Sequence, residues 1–144
     1  MSTRCLIAKD YGNKFKAIYC HWDGYPSYTG IMLYKYYKDD SIIDELLALG
    51  DISYLAKNVK PKPNEIHSFE NPVKDVVVAY HRDRGEDICI REFENLTQLF
   101  DNAHDSWCEF LYLWRNQEWE VYDISANPIK NTAYDFILKN RKGE

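Results

Sequence analysis

The run Phe15–Trp22 constrains the fold more than any other stretch. Strand alternation puts Phe15, Ala17, Tyr19 and His21 on one face and Lys16, Ile18, Cys20 and Trp22 on the other. From Ile18 onward both faces carry large side chains. A strand with one wet face reads as alternating apolar and polar residues, so this one calls for cover on both sides. Ahead of it lies a second strand-like run, Thr3–Ala8. Lys9–Lys14 joins the two and contains Gly12-Asn13, a pair that supplies positive φ at a hairpin turn.

Read in order, the rest of the chain alternates helical and strand-like periods. Asp23-Gly24 stops the strand, and Pro26 with Ser27 as N-cap starts a helix over Tyr28–Tyr37. Ser41 caps a second helix, Ile42–Leu49, with an apolar stripe and Gly50 at its end. Asp51–Leu55 reads as one further short turn. Asn58–Asn71, with Pro61 and Pro63, is a long polar connection, either a lid or a flexible loop. Lys74–His81 and Asp87–Glu92 read as two strands around the turn Arg82–Glu86. Asn95–Ala103 has the i, i+3, i+4, i+7 spacing of a helix through Leu96, Leu99, Phe100 and Ala103. Trp107–Arg115 and Trp119–Asp123 form a last hairpin around Asn116-Gln117, and Thr132–Asn140 closes the chain as a helix. The expected order is ββ-αα-ββ-α-ββ-α. The fold class is α+β: a single domain over residues 1–144, with an antiparallel sheet of about six strands and three to four helices. A chain of 144 residues suits one domain.

Composition narrows the function classes. The net charge of -5 argues against general nucleic-acid binding, which needs a basic footprint. No apolar run approaches the ~20 residues that span a membrane. The cysteines Cys5, Cys20, Cys89 and Cys108 form no C-x-x-C pair and sit in apolar runs, as free buried thiols do in a reducing cytosol. No leader precedes them, so the expected location is the cytoplasm. Twelve tyrosines and four tryptophans exceed what a core alone needs and point to a binding surface as well.

Two His-x-Asp steps carry the chemistry. One is His21-Trp22-Asp23, followed by Gly24; the other is His81-Arg82-Asp83, followed by Arg84 and Gly85. Each closes a strand at a turn. Three readings apply: a metal site, a small-molecule pocket in which His and Asp bond a polar ligand, or turn-capping carboxylates with locally satisfied histidines. The spacing lacks any specific metal pattern. Arg82 and Arg84 flank an Asp at the expected hairpin tip and can grip phosphate through bidentate forks. Trp22, Tyr25 and Tyr28 lie beside the first step, and aromatic faces near arginines suit a base-plus-phosphate ligand. The common nucleotide cradles are absent. No Ser stands in G-x-S-x-G, and Cys20 and His21 face opposite ways, so catalysis has little support beyond His21 or His81 as a general base.

The strings Ser2-Thr3-Arg4, Ile18–Pro26 with its His-Trp-Asp-Gly-Tyr-Pro core, Leu49–Ser53, Ala79–Glu86 and the Tyr112–Trp119 hairpin resemble a family of small phage and prophage proteins, mostly of Gram-positive hosts. The resemblance covers most of the chain and supplies no catalytic residues. It implies a small cytosolic protein of an infected bacterium. Some proteins of that kind counter host defence by sequestering nucleotide immune signals, such as cyclic ADP-ribose isomers or cyclic dinucleotides.

The expectation is therefore a binding protein for a nucleotide-like ligand, acting as a homo-oligomer without metal or cofactor. His21, Trp22, Asp23, Gly24, Tyr25 and Tyr28 form one wall, and His81, Arg82, Asp83 and Arg84 the other. Two alternatives stand beside it. One is a phosphodiesterase-like hydrolase, with or without metal. The other is a protein-binding inhibitor of a host effector.

Overall fold

A computed structural model describes residues 2–126 and 130–131. The fold is mixed α+β. Its strands are β1 (Cys5–Asp10), β2 (Phe15–Cys20), β3 (Ile52–Tyr54), β4 (Val78–Ala79), β5 (Arg91–Phe93), β6 (Phe110–Arg115), β7 (Glu118–Asp123) and β8 (Lys130–Asn131). Its helices are α1 (Ile31–Tyr36), α2 (Asp40–Leu47), α3 (Tyr80–Arg84) and α4 (Leu96–Asp105). All eight strands form one sheet in the order β4-β3-β2-β1-β6-β7-β8, with β5 paired to β2 beside that row.

The first hairpin pairs Cys5 with Cys20, Leu6 with Tyr19 and Ile7 with Ile18. Gly12 supplies its positive φ of 89°; Asn13 does not share it. The sheet is not wholly antiparallel, which corrects the expectation from the hairpins. β1 runs parallel to β6, and β2 parallel to β3. Hairpins fix only local pairings; these two pairings join segments distant in sequence, and no turn residue announces them.

Both faces of β2 are covered, as its side chains required. On one face Cys5, Ile7, Ile18, Cys20 and Tyr112 pack against Leu33, Ile43, Leu46 and Leu47 of α1 and α2. On the other Leu6, Ala8, Ala17, Leu111 and Leu113 pack against Leu99 and Ala103 of α4. The core is thus two layers split by the sheet. Each fully buried Leu or Ile contributes about 1.5–3 kcal/mol.

Several local expectations change. Pro26 opens a single wide helical turn, Pro26–Gly30, that runs into α1; Tyr25 rather than Ser27 holds the cap position. Asp39, not Ser41, caps α2: its carboxylate accepts from the Ile42 amide at 3.0 Å and from Ser41 Oγ at 3.0 Å. A carboxylate accepts more strongly than a hydroxyl, and Ser41 bonds to it instead. Residues Ile52–Tyr54 are a strand, not a helical turn. Gly50, at φ 75°, redirects the chain there, and a Cβ on it would lie 2.8 Å from Ile88 Cγ1.

The expected hairpin over Lys74–Glu92 does not form. Val78–Ala79 and Arg91–Glu92 are strand but pair with β3 and β2 rather than with each other, and Tyr80–Arg84 is a short helix that Gly85 ends in the left-handed conformation. Glycine after a charged run marks a helix end as readily as a hairpin turn. Trp107 lies outside β6, exposed, with φ 62°. Cys89 is exposed, unlike Cys5, Cys20 and Cys108. Asn95 caps α4 by accepting from the Gln98 amide, and β6–β7 turn at Asn116-Gln117 as read. The expected closing helix, Thr132–Asn140, lies outside the described residues.

Candidate functional site

On the α4 side of the sheet, side chains left uncovered by the helix form a polar row. Arg4 shares the facing of Leu6 and Ala8, and Tyr19 and His21 share that of Ala17. Past Cys20 the register carries over to Arg4 opposite His21. On the neighbouring strands Ile52 and Ala79 point into the other layer, so Asp51, Ser53 and Tyr80 point to this one. Arg4, Tyr19, His21, Asp51 and Tyr80 are all half-buried. The fold thus places ionisable and hydroxyl groups side by side on one face of the sheet.

Tyr19 is the hub of the row. Its hydroxyl lies 2.8 Å from His21 Nδ1. The Arg4 charge acts on the same hydroxyl. Burial, and then the Arg4 charge, hold the His21 pKa below the ordinary histidine value. Burial pushes Tyr19 up to about 12, so it stays a hydroxyl donor at neutral pH. Arg91 lies 5.4 Å from the centre of the Tyr19 ring, donates to Asn102 of α4 and to Ser106 just past its end, and sits 3.6 Å from Asp51. Burial raises Asp51 despite the Tyr19 amide and Arg91.

The row opens at Arg4 onto a cleft of about 530 Å³. Ser2, Arg4, His104, Asp105, Trp107 and Glu109 line it, with buried Cys108 behind them. Trp107 is 79% exposed and held at a positive φ of 62°, a conformation that costs a bulky residue energy. Strain that presents a large apolar ring to solvent at the mouth of a cleft is what a stacking platform requires. His104 and Asp105 stand 3.6 Å apart on the rim.

None of the residues of the first His-x-Asp step lines this cleft. The Gly24 amide donates to Thr3 O at 2.8 Å, which lays the turn alongside Arg4. A Cβ on Gly24 would meet Thr3 O at 2.8 Å and Cys5 Sγ at 3.0 Å. Asp23 is left-handed, at φ 56°. Trp22 is exposed and meets His21 edge to face at 4.8 Å. Tyr25 is exposed and packs edge-on against Tyr28, whose hydroxyl donates to Leu55 O. Tyr28 is tied into the fold, and His21 is held by Tyr19; Trp22 and Tyr25 are exposed.

The second step is built differently. Asp83 is 3% exposed; it accepts from the Ala79 amide at 2.8 Å and from Arg82 Nε at 2.8 Å, and His67 Nε2 lies 3.3 Å away. Arg82 also donates to Val59 O and Val77 O. His67 Nδ1 accepts from the Val73 amide, so Nε2–H faces Asp83 and Val77 O. Arg82 and Asp83 therefore clamp the long segment between β3 and β4. His81 Nδ1 contacts Glu86 O at 2.7 Å, and Arg84 pairs with Glu86 at 3.2 Å.

The two steps leave the shared row Cys20–Ile52–Ala79 in opposite directions, because β2 runs parallel to β3 and β4 antiparallel. What the second group adds to the polar row is Tyr80, whose amide donates to Asp51 O and whose hydroxyl neighbours Ser53. Sequence reading missed Arg4, Tyr80, His104 and Trp107. The hairpin turn at Gly12-Asn13 does place Arg4 opposite His21; nothing comparable marks the others. Among the described residues, no group of three or more His, Cys, Asp or Glu side chains converges as a metal would need, and no helix is long and apolar enough to cross a membrane. The chain matches no protein-family model, no curated protein and no solved structure.

Proposed function

We propose that this protein binds a small nucleotide-derived ligand and holds it without cleaving it. The observation that carries the reading is Arg4. It stands opposite His21 in the β1–β2 register and lines the cleft edged by Trp107. An arginine suits a phosphate, and a strained, exposed indole lining the same cleft suits a base. Ser2, Asp105 and Glu109 supply acceptors for ribose hydroxyls or an exocyclic amine. The phage resemblance of the His-Trp-Asp-Gly-Tyr-Pro string supports a biological setting in which the ligand is a host immune signal and the protein removes it from solution.

The test is recovery. The protein is incubated with AMP, GMP and nucleotide immune signals, free ligand is measured, and the protein is then heat-denatured. The proposal predicts depletion of at least one nucleotide and its release intact. A cleaved product would make the protein a hydrolase, with His21 as the first residue to substitute. No depletion of any nucleotide would overturn the proposal.

A further inference from the structure

Among the described residues, β5 is paired on one edge only, to β2 in the register Phe15–Phe93 and Ala17–Arg91. Ahead of β5 the chain runs from Glu86 to Ile90 without a positive φ, and every residue of that run is exposed. Cys89 O accepts from the Asp51 amide at 3.1 Å, so the Cys89 backbone faces into the molecule. Strand alternation then turns the N–H and C=O of Ile88 and Ile90 outward. Neither backbone makes a hydrogen bond among the described residues. An open edge is usually blunted by Lys, Pro or a covering element. This one carries Ile88 at 48% exposure, Ile90 at 36% and the exposed Cys89.

The segment Asp87-Ile88-Cys89-Ile90-Arg91 complements itself. A second copy laid antiparallel along it by a two-fold axis must pair residues whose side chains share a face, which leaves few registers. Centring the axis on Glu92 or on Arg91 sets like charges opposite each other. Centring it on Ile90 puts Ile88 opposite Glu92 and Cys89 opposite Arg91. Centring it on Cys89 puts Ile88 opposite Ile90 of the second copy, Ile90 opposite Ile88, and Asp87 opposite Arg91. The outward backbones of Ile88 and Ile90 then exchange the ladder hydrogen bonds, and the two Cys89 residues form a non-hydrogen-bonded pair at the axis. Arg91 is partly exposed and has N–H groups to spare beyond Asn102, Ser106 and Asp51. Glu86 falls opposite Glu92, and each already holds a cation of its own, Arg84 and Lys14.

We propose that the protein forms a two-fold dimer in which the Asp87–Arg91 segments of two copies pair antiparallel across Cys89, joining the two sheets edge to edge. The partner is a second copy rather than a different chain, because the apolar and the charged positions of the segment complement each other in one and the same register. The isoleucines of both copies then cover one another on one face, and the Asp87–Arg91 pairs flank the cysteines on the other. The dimer does not depend on the nucleotide reading, which can fail without touching it.

Sedimentation equilibrium in reducing buffer at micromolar chain concentrations tests this. It is expected to give twice the 17.1 kDa of one chain. Ile90→Lys breaks both isoleucine pairs, and Asp87→Arg sets an arginine opposite Arg91. Each is expected to raise the dimer's dissociation constant at least about tenfold, since the two-fold axis doubles every pairwise loss. Both positions are exposed, and circular dichroism checks that the variants fold. Diamide reports the register: it takes two hydrogens from a pair of thiols, leaving a disulfide, and is itself reduced to the hydrazine. In the wild type it is expected to link two chains through Cys89, read by peptide mapping, because opposite Cβ atoms stand about 4.5–5.5 Å apart in such a pair. In Ile90→Lys that link is expected to fall with the dimer. A monomer throughout the concentration range overturns the proposal. A dimer unmoved by both substitutions, or one that yields no Cys89 link, overturns it as well.

Discussion

Replacing Asp83 with alanine separates a ligand-binding role from a structural one. The carboxylate is 3% exposed and accepts from the Ala79 amide, from Arg82 through Nε at 2.8 Å and Nη2 at 3.0 Å, and faces His67 at 3.3 Å. Hydrogen bonds to charged groups contribute roughly 1.5–3 kcal/mol each, but they share one acceptor group and do not add. Removing one partner of a buried pair costs about 3–5 kcal/mol, because the other charge stays behind. Arg82 keeps its bonds to Val59 O and Val77 O, which moderates the loss. Asp83→Ala should therefore lower unfolding stability by about 3 kcal/mol, and Asp83→Asn, which keeps the shape and part of the bonding, by about half as much. Urea denaturation at pH 7 followed by tryptophan fluorescence measures both. The variants should also become sensitive to proteolysis between residues 59 and 77, where His67 and Arg82 hold the backbone. A loss below about 1 kcal/mol with that segment still protected would refute the clamp and return Asp83 to the surface chemistry that its sequence context suggested.

Further outcomes follow from the same geometry. Burial pushes the Asp83 carboxyl up, but the Arg82 guanidinium and the Ala79 amide outweigh it and hold its pKa below the usual value. Its stabilisation is therefore complete above the unfolded pKa of about 3.9 and is lost as pH falls through the lower folded value. A urea-midpoint series from pH 6 to pH 2 should show this acid loss in the wild type and a smaller one in Asp83→Asn. Trp107→Ala should change stability by no more than about 0.5 kcal/mol, since the ring is largely exposed, yet weaken nucleotide binding by about 1–3 kcal/mol in titration calorimetry. Leu99→Ala, which hollows the α4 layer, should cost about 2–5 kcal/mol in the same denaturation assay. Gly24→Ala should be destabilising at a site with no side chain to lose, because the new methyl meets the Thr3 carbonyl at 2.8 Å.

Much of the scaffold was legible where local chemistry decides it. Gly12 set the first hairpin, and Asn116-Gln117 the last. The stripe of Leu96, Leu99, Phe100 and Ala103 gave α4, and large residues on both faces of Phe15–Trp22 foretold a sheet covered on both sides. The β1–β6 pairing was not legible. Residues such as Leu6 and Leu111 are far apart in sequence, and strand composition is the same for parallel and antiparallel neighbours. The Arg82–Gly85 string was misread as a hairpin tip because Gly85 serves a turn and a helix end equally, and the buried partner that fixes the helix, His67, lies in an unpatterned loop. For the site, His21 and its aromatic neighbours stood out as expensive residues at a turn. Trp107 did not, because strain that exposes an indole leaves no mark on composition.

The proposed nucleotide site comprises Arg4, Tyr19, His21 and Trp107. Titrating AMP and GMP into ¹⁵N-labelled protein at low salt and following amide and indole resonances tests it most directly. One of them is expected to shift the Trp107 indole N–H together with the amides of Arg4, Tyr19 and His21, and Arg4→Ala to abolish those shifts while the remaining spectrum stays folded. A spectrum unmoved by either nucleotide, or shifts confined to residues away from Arg4 and Trp107, would contradict it.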